Sequence, residues 1–557
     1  MAILNRSLLV LLAASAGTSL LPGQTASRID RDLTEVSIPQ LQHYYETHRY
    51  TVRQVVDWYI ARIEKYDGIY LAVESPNFKG ARETAAREDE EAKTGKLKRP
   101  PLWGVPIVIK ANTSIQGKIT TDGWAGFVIH GHELIAPKDA TVAAKLKAAG
   151  AVILGQTNMP DFAASDTSRS TSFGRTGNAY DVRYSPGGSS GGTVTSVTSN
   201  FTVFGTGTDT ANSIRMPAAT SALVGVLPTR GLVSIAGIAP LDWLLDNTGP
   251  IARTVTDAAI GLDVMAGEDP ADFRTQGSAA RAQPGPYTRY LNKDALKGKR
   301  FGVPAFIVMN QPPTARNALQ PDTRAAFMKA IEALRAAGAT VVMDDTLLPA
   351  AFQEAVNKVN TRPYRLDGTN SFLKNYGPPE YHSVAEYEKS IGSPVPTNIT
   401  GLPRPASDRG PGRGGGGPDQ TPVPQVALAT DSHAEENFFK PQREALALYT
   451  EAMERFHLDG FVYPATQMPP PDETMPQNGQ ITGGPHSATG WVNKIGVPAV
   501  VVPGGFYPSG LPFGLEISAA RWKDGDLLGF AFAYEQTTKF RRPPVLVEKG
   551  LLPRIGR

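Results

Sequence analysis

The sequence predicts an α/β fold built on a parallel β-sheet, and three observations support this prediction. Short apolar runs recur along the whole chain, as at residues 107–109 and 499–502. An amphipathic segment at residues 141–149 follows one such run, and Gly150 separates it from the next run. Strand, helix and strand in this order are typical of parallel α/β architecture. Because the runs recur to the end of the chain, we expect the sheet to draw on nearly all of it.

Each predicted element has its own signal in the sequence. Residues 51–66 carry apolar side chains at helical spacing and predict an amphipathic helix that ends near Asp67 and Gly68. The run at 107–109 follows a Gly-Val-Pro turn and predicts a strand, and residues 151–154 predict another. Four further runs predict strands at residues 301–303, 340–342, 460–463 and 499–502.

Composition excludes several classes of protein. The 557 residues include 56 Lys and Arg against 53 Asp and Glu, a net charge of +3 that is too small to indicate a nucleic-acid partner. Hydrophobic residues make up 41% of the chain, which excludes global disorder. The absence of cysteine excludes disulfides, thiolate nucleophiles and Cys-ligated metals. Any covalent chemistry must therefore use another side chain.

Residues 1–27 have the features of a signal peptide. A short basic start is followed by an apolar run at residues 8–14 and then by small residues. The run is too short to span a bilayer alone, and the alternative interpretation is an uncleaved membrane anchor. We expect the mature chain to be exported to a periplasm or the cell exterior, without stable insertion into the membrane.

The remaining residues, 28–557, are predicted to form one domain with a flexible insertion at about 402–425. This segment is dominated by Pro, Gly, Arg and Asp and lacks the apolar side chains that would offset the entropy of ordering. Its glycines match a dinucleotide-binding spacing, but no strand precedes them and Pro418 follows directly. The sequence therefore indicates no nucleotide site there.

The chemistry is predicted to lie within residues 185–217. Residues 187–192 read Gly-Gly-Ser-Ser-Gly-Gly, and glycines allow tight turns and close approach of the backbone to a ligand. Taken alone, this hexapeptide also fits a flexible linker. The residues that follow are rich in Val and Thr and lead into a second turn of small residues at 205–217, which favours an ordered site.

Together with these residues, a series of motifs resembles the amidase signature family of Ser-Ser-Lys hydrolases. The motifs are Gly-Val-Pro at 104–106 before Lys110, residues 187–192, residues 209–217, Asp-Asn-Thr-Gly-Pro at 246–250 and Gly-Leu-Pro-Phe-Gly-Leu at 510–515. They occur in the family's order and span most of the chain. The resemblance implies a large mixed, mostly parallel twisted β-sheet covered by helices on both faces.

The resemblance also implies roles for three side chains. Ser213 is the expected nucleophile, Ser189 the bridging serine on a cis peptide bond, and Lys110 the base. A serine hydroxyl needs a neighbouring base, and a lysine serves as one only when it is neutral. Because Lys110 follows an apolar run, burial is expected to lower its pKa, although a lone lysine is more often a solvated surface charge.

Further residues are assigned to the surroundings of this triad by the resemblance. The oxyanion of the reaction is expected to face the backbone N–H groups of Thr210, Ala211, Asn212 and Ser213. Supporting roles are expected for Ser190, Asp209 and Arg215. No cofactor and no metal are expected.

The chain departs from the family just before the nucleophile, where Ala211 and Asn212 replace two glycines. Each adds a Cβ and disfavours positive φ. We expect a reshaped acyl-side pocket in which the Asn212 amide contacts substrate, and the alternative is a distorted loop with weak activity. A smaller departure is Glu516, where glutamine is common.

Other candidate sites are weaker. His130 and His132 could indicate a metal, but no third ligand lies at a suitable spacing, so a surface loop is favoured. Four aromatic residues could line an apolar channel but fit an ordinary core better. They are Trp124, Phe127, Trp243 and Trp491.

The sequence thus predicts an exported amidase that hydrolyses an aryl, acyl or peptide carboxamide to a carboxylic acid and an amine or ammonia through a serine acyl-enzyme. Two alternatives remain: a glutamine-dependent amidotransferase subunit, and an amidase-like binding protein with impaired catalysis. The expected partner is a small-molecule amide and not nucleic acid. The sequence leaves a homodimer open.

Overall fold

A computed structural model describes residues 27–94, 98–308, 318–396, 400, 423–475 and 483–544. Residues up to 34 and residues from 35 onward form two separate compact units. The predicted signal peptide, except for Ser27, lies outside the described residues, as do residues 402–422 of the predicted insertion. Of that insertion, Gln425 is described, and its side chain donates a hydrogen bond to the carbonyl of Arg362.

The described part of the first unit contains one short helix, Arg28–Leu33, whose N-terminus is capped by Ser27. The described strands lie in the second unit. In chain order they are β1 Val73–Pro76, β2 Val105–Lys110, β3 Ala151–Thr157, β4 Arg169–Ser170, β5 Gly174–Arg175, β6 Phe204–Asp209, β7 Val224–Leu227, β8 Asn247–Ala252, β9 Arg300–Gly302, β10 Thr340–Val342, β11 Gly460–Pro464, β12 Ala499–Phe506 and β13 Pro512–Ala519.

Eleven of the described strands form one mixed sheet in the order β1-β3-β2-β6-β8-β7-β12-β13-β11-β9-β10, and β4 pairs with β5. Strand β2 is parallel to both of its neighbours, β3 and β6. Strands β9, β10 and β11 are also joined by parallel pairings. The remaining pairs of the large sheet are antiparallel. The predicted large mixed α/β sheet is confirmed, with more antiparallel pairing than a mostly parallel sheet implies.

The helices of the second unit surround this sheet. Their bounds are Ile38–Glu46, Val52–Tyr70, Phe78–Lys93, Thr141–Ala148, Gly191–Thr198, Arg215–Ala219, Val255–Met265, Ser278–Arg281, Ala305–Val308, Pro321–Ala336, Ala350–Lys358, Arg365–Tyr376, Val384–Ile391, Lys440–Arg455, Trp491–Ile495 and Asp524–Thr538. Every residue of β2, β3, β6, β8 and β13 is buried, so both faces of the sheet's interior are covered.

Most predicted strands coincide with observed ones, and the predicted 141–149 helix is observed as Thr141–Ala148, followed by Gly150 at φ +82°. The first predicted helix is longer than expected. It begins at the Thr51 cap and continues through Asp67 and Gly68 to Tyr70. The helix ends at the left-handed Leu71 cap instead, and the Asp67 carboxylate accepts hydrogen bonds from the backbone of Ala72 and Val73 directly after that cap.

In the part of the chain that the structure describes, no helix combines the length and the apolar character required to cross a bilayer.

Candidate active site

Lys110 ends β2 at the carboxyl edge of the parallel part of the sheet. The five residues before it in the strand are Val-Pro-Ile-Val-Ile, and the whole strand is buried. Strand β6 runs parallel beside β2 and brings Thr208 to the same edge. Ligands of α/β sheets bind at the carboxyl ends of parallel strands, which is where these two side chains meet.

The ammonium nitrogen of Lys110 is held by two hydroxyl groups. Lys110 Nζ lies 2.6 Å from Ser189 Oγ and 2.8 Å from Thr208 Oγ1. Asn112 Nδ2 donates to the same Thr208 oxygen at 3.0 Å. The structure thus brings together Lys110 and Ser189, which are 79 residues apart in the chain.

Burial lowers the pKa of Lys110 to about 7, although Asp122, Asp209 and Asp246 act in the opposite direction. Two of these acids are themselves deeply buried: burial raises the pKa of Asp122 well above its usual range and that of Asp246 to about 6. A protonated carboxyl group carries no charge and favours the ammonium form less. A substantial fraction of Lys110 is therefore neutral near pH 7 and able to accept a proton.

Ser189 lies in a glycine-rich loop before the helix Gly191–Thr198, and its peptide bond to Gly188 is cis. Gly187 has a φ of +76°. A Cβ on Gly188 would lie 2.3 Å from the carbonyl oxygen of Thr167, so the neighbouring backbone leaves no room for a side chain. These constraints explain why glycines precede Ser189.

Ser190 joins the two serine-bearing loops. Its backbone N–H donates to the carbonyl oxygen of Ser213 at 3.3 Å. Its hydroxyl lies 3.3 Å from both the carbonyl oxygen and the backbone nitrogen of Thr208, donating to the first and accepting from the second. The backbone N–H of Ser190 thus connects the Ser189 loop to the Ser213 loop, and its hydroxyl connects the Ser189 loop to β6.

Ser213 lies in the short connection between β6 and the helix Arg215–Ala219. It is 6% exposed, and Asn212 before it is 9% exposed. In the described backbone, no carbonyl acceptor is recorded for the N–H groups of residues 210–213. The connection is held from its ends, since Asp209 Oδ2 accepts from the backbone of Ile214 at 2.9 Å and Thr210 Oγ1 donates to Asp246 at 2.5 Å.

Arg215 braces this connection from inside the protein. Its buried guanidinium donates to the Asp209 carboxylate, to the carbonyl oxygen of Ala211 and to Asn493 Oδ1 at 2.6 Å. It also forms an ion pair with Glu516 on β13. Burial lowers the pKa of Arg215, but the two carboxylates outweigh it and hold the pKa above its usual value. The guanidinium therefore stays charged and fixes the carbonyl directly before Asn212.

Sequence reasoning did not assign functions to Thr208, Asn112, Asp246 and Asn493, and it treated Glu516 only as a variant position. Thr208 had one accessible signal, because it lies in the small-residue segment 205–217 that is predicted to carry the chemistry. The Asp246, Asn493 and Glu516 side chains lie far along the chain from the groups that they contact, and Glu516 is 301 residues from Arg215.

The weaker candidates have structural partners. His132 Nδ1 lies 3.0 Å from the Tyr381 hydroxyl, and His130 Nδ1 lies 3.3 Å from Glu133. The described ranges contain no cluster of three or more side chains arranged to hold a metal ion.

The four candidate channel aromatics pack against other side chains. Trp124 and Phe127 have ring centroids 5.0 Å apart and belong to one apolar cluster. Trp243 packs against a second cluster and donates a hydrogen bond to the backbone of Tyr364. Trp491 is 5% exposed and packs against several rings. Phe127 and Trp491 are buried core residues, whereas Trp124 and Trp243 are partly buried and pack against their clusters.

Known proteins share both the sequence pattern and the fold. Residues 54–401 match the family model described as Amidase. The chain is 30% identical over 503 residues to a glutamyl-tRNA(Gln) amidotransferase subunit of Symbiobacterium thermophilum, covering 88% of this chain and 94% of that protein. The corresponding protein of Moorella thermoacetica is 31% identical over 495 residues, covering 87% and 92%.

Solved structures agree with these sequence relatives. The native peptide amidase of Stenotrophomonas maltophilia superposes with a TM-score of 0.71 at 28% identity, covering 92% of this chain and 98% of that chain. The fold, the Lys110–Ser189 geometry and the match of the family model over more than half of the chain point to one conclusion. The chain belongs to the amidase family, the amidase signature enzymes that hydrolyse amide bonds.

Proposed function

We propose that this chain cleaves carboxamides through a covalent acyl-serine at Ser213, with Ser189 relaying a proton to Lys110. The observation that carries the proposal is the 2.6 Å contact between Lys110 Nζ and Ser189 Oγ at a fully buried lysine. The lowered pKa of Lys110, about 7, supports its use as a base. The Ser190–Ser213 hydrogen bond supports the proximity of the two serine-bearing loops.

The proposed reaction has two halves. Ser213 Oγ attacks the carbonyl carbon while its proton passes through Ser189 to Lys110, and the resulting oxyanion faces the backbone N–H groups of residues 210–213. The tetrahedral intermediate then expels the amine, which takes the proton back. Water then attacks the ester carbonyl, its proton passes by way of Lys110 and Ser189 to the departing Ser213 oxygen, and the carboxylic acid is released.

Two uses of this chemistry are supported by different relatives. The relatives named as glutamyl-tRNA(Gln) amidotransferase subunits favour a glutamine-dependent amidotransferase role, in which the chain releases ammonia for a partner protein. They support that use better than the exported amidase. The peptide amidase structure, at comparable identity, supports a hydrolase that acts alone on a carboxamide. Because Ala211 and Asn212 replace the usual glycines, we expect the substrate range of this chain to differ from those of its relatives.

Export remains a proposal that rests on residues 1–27, with their basic start and apolar run. Mass determination of the N-terminus of the protein purified from its native host tests it. A mature chain that starts near residue 28 supports export, and an intact Met1 in every cell fraction contradicts it.

A substrate-independent experiment tests the proposed function. The purified chain is treated with a serine-reactive fluorophosphonate, and the adduct is mapped by peptide mass spectrometry. We expect labelling at Ser213, followed by ammonia or amine release from a panel containing glutamine, peptide amides and anilides. A folded protein that is neither labelled nor active would support the amidase-like binding protein instead.

The same panel separates the two uses. Glutamine turnover that rises when candidate partner proteins are added supports the amidotransferase role. Turnover of peptide amides or anilides by the isolated chain, with little activity on glutamine, supports the amidase.

Replacing Thr208 by valine is expected to lower kcat about 10- to 100-fold. Valine keeps the shape of the side chain but removes the oxygen that accepts hydrogen bonds from Lys110 and Asn112. Leaving a buried polar group without its partner costs about 1–3 kcal/mol. The measurement is the rate of Ser213 labelling or of substrate turnover in the folded variant.

Thr202→Val is the matched control, because this buried hydroxyl bonds only backbone carbonyls, those of Pro106 and Phe204. Equal losses of rate in both variants would show that Thr208 contributes only general stability.

A further inference from the structure

A carboxylate without a lysine or arginine partner among the described residues contacts the residue directly before the proposed nucleophile. Asp166 Oδ1 is 3.4 Å from Nδ2 of Asn212, the residue directly before Ser213. Asp166 Oδ2 is 3.6 Å from Nδ1 of His486. Within the described ranges, the ion pairs of Asp166 include no lysine or arginine. The carboxylate is therefore not neutralised by a permanent cation.

The backbone of Asp166 is held between two glycine-containing segments. A Cβ on Gly188 would lie 2.7 Å from the Asp166 carbonyl carbon, and a Cβ on Gly484 would lie 2.3 Å from its carbonyl oxygen. Gly188 directly precedes Ser189. Asp166 thus contacts the Ser189 loop through its backbone and the Ser213 loop through its side chain, so its carboxylate has a defined place at the catalytic centre.

The Asp166 carboxylate has unused capacity for hydrogen bonds. An ionised carboxylate offers about four acceptor positions, and both contacts of Asp166 are long for hydrogen bonds. The side chain is 30% exposed, which leaves it accessible while it is only partly solvated. Carboxylates in such positions are stabilised by a cationic partner.

Gln467, whose backbone contacts His486, carries a polar side chain without a protein partner among the described residues. The backbone N–H of Gln467 donates to the His486 carbonyl oxygen at 3.0 Å. The Gln467 side chain is buried, and neither its amide nitrogen nor its amide oxygen has a partner among the described residues. Buried polar atoms are normally paired, so this region is suited to a polar ligand rather than an apolar one.

We propose that Asp166 binds a cationic group of the substrate, so that the preferred carboxamides carry an ammonium or guanidinium group near the scissile amide. Asn212 acts as a positioning residue, because its amide nitrogen, 3.4 Å from Asp166 Oδ1, holds the carboxylate at the loop that carries Ser213. A glycine at position 212, as is usual in the family, has no side chain to do so. This inference rests on the proposed function, in which Ser213 is the nucleophile.

Two fluorophosphonates of equal size test this inference without a known substrate. One carries a short aminoalkyl arm and the other the corresponding alkyl arm. We expect the second-order rate of Ser213 labelling to be about 10-fold or more higher for the cationic probe, which is the range for a hydrogen bond to a charged group. Asp166→Asn is expected to bring the ratio of the two rates close to one.

Two further variants test whether the ratio of the two labelling rates depends on the charge at position 166. Asp166→Glu keeps the charge and should restore part of the preference. Asp139→Asn removes a carboxylate that pairs with Lys147 elsewhere on the protein, and it should leave the ratio unchanged. A ratio is insensitive to a general loss of stability, because instability slows both probes alike.

The outcomes distinguish a failure of the cation site from a failure of the proposed nucleophile. Equal labelling of wild-type Ser213 by both probes, or a preference that persists in Asp166→Asn, overturns the cation site while leaving the nucleophile intact. Absence of labelling by either probe in the folded protein overturns the proposed function, and the cation site with it.

Discussion

Ser213→Ala is expected to abolish covalent labelling and to lower kcat by about 10⁴- to 10⁶-fold, the range seen when a hydrolase loses its nucleophile. Alanine removes only the oxygen that forms the acyl-enzyme. The 6% exposed side chain leaves a small space, and the backbone hydrogen bond from Ser190 to the residue 213 carbonyl is retained. The variant should therefore fold, and the loss should appear in kcat at an unchanged unfolding temperature.

Ser509→Ala is the control, since this serine lies in an exposed turn between β12 and β13 and only caps the Leu511 backbone. It should keep full labelling and turnover. If Ser213→Ala retained wild-type turnover while Ser213 was confirmed absent by mass spectrometry, the acyl-serine mechanism would be wrong.

Local patterns in the sequence predict the individual elements of the sheet but not their pairing. The apolar run before Lys110 indicates β2, because the five buried positions before the lysine need apolar side chains wherever the strand lies. Nothing local shows that β6 pairs with β8 in an antiparallel register, or that four antiparallel-paired strands, β8, β7, β12 and β13, lie between the two parallel parts. Strand partners are set by contacts between distant segments.

The residues of the candidate site divide in the same way, into those that local motifs predict and those that only the fold brings together. Lys110, Ser189 and Ser213 are predicted from motifs that resemble a known family, and the Lys110–Ser189 contact is observed. Thr208, which contacts Lys110, and Asn112, which contacts Thr208, lie outside those motifs, although Asp209, Arg215 and Asp246 lie within them. Asp166 becomes recognisable only when its carboxylate is seen beside Asn212, 46 residues later in the chain.

Lys110→Met is expected to lower kcat about 10²- to 10⁴-fold, the usual contribution of a general base. Methionine fills a similar volume but cannot accept the proton that Ser189 passes on. In the wild type, the neutral amine is the active form, and burial lowers the pKa of Lys110 to about 7. Activity should therefore rise tenfold per pH unit below about pH 7 and level off above it.

The pH profile of the wild type provides an internal check on this assignment. A rise in kcat/KM with a midpoint near 7 that disappears in the residual activity of Lys110→Met supports the lysine as the titrating base. A wild-type rate that is already level between pH 5 and pH 9 would contradict it, because the protonated ammonium cannot act as a base.

Stability offers a test of the same pKa that does not depend on activity. Between pH 7 and 10.5, the unfolded chain keeps the Lys110 proton while the folded protein has lost it, so the free energy of unfolding must rise with pH. Below pH 7 both states are protonated, and the full cost of burying the ammonium, about 5 kcal/mol, is present. Methionine at this position binds no proton and contributes no such slope.

The quantity to compare between wild type and Lys110→Met is therefore the pH dependence of the free energy of unfolding, and not its absolute value. Denaturant unfolding of Lys110→Met and wild type at pH 7 and pH 9 should show the wild type gaining on the variant by roughly 1 kcal/mol per pH unit. The hydrogen bonds lost from Ser189 and Thr208 shift the variant's stability by an amount independent of pH, and so leave this slope unchanged. Parallel pH dependences would mean that Lys110 titrates at the same pH in the folded and unfolded chains, and a buried neutral base would then have no physical support.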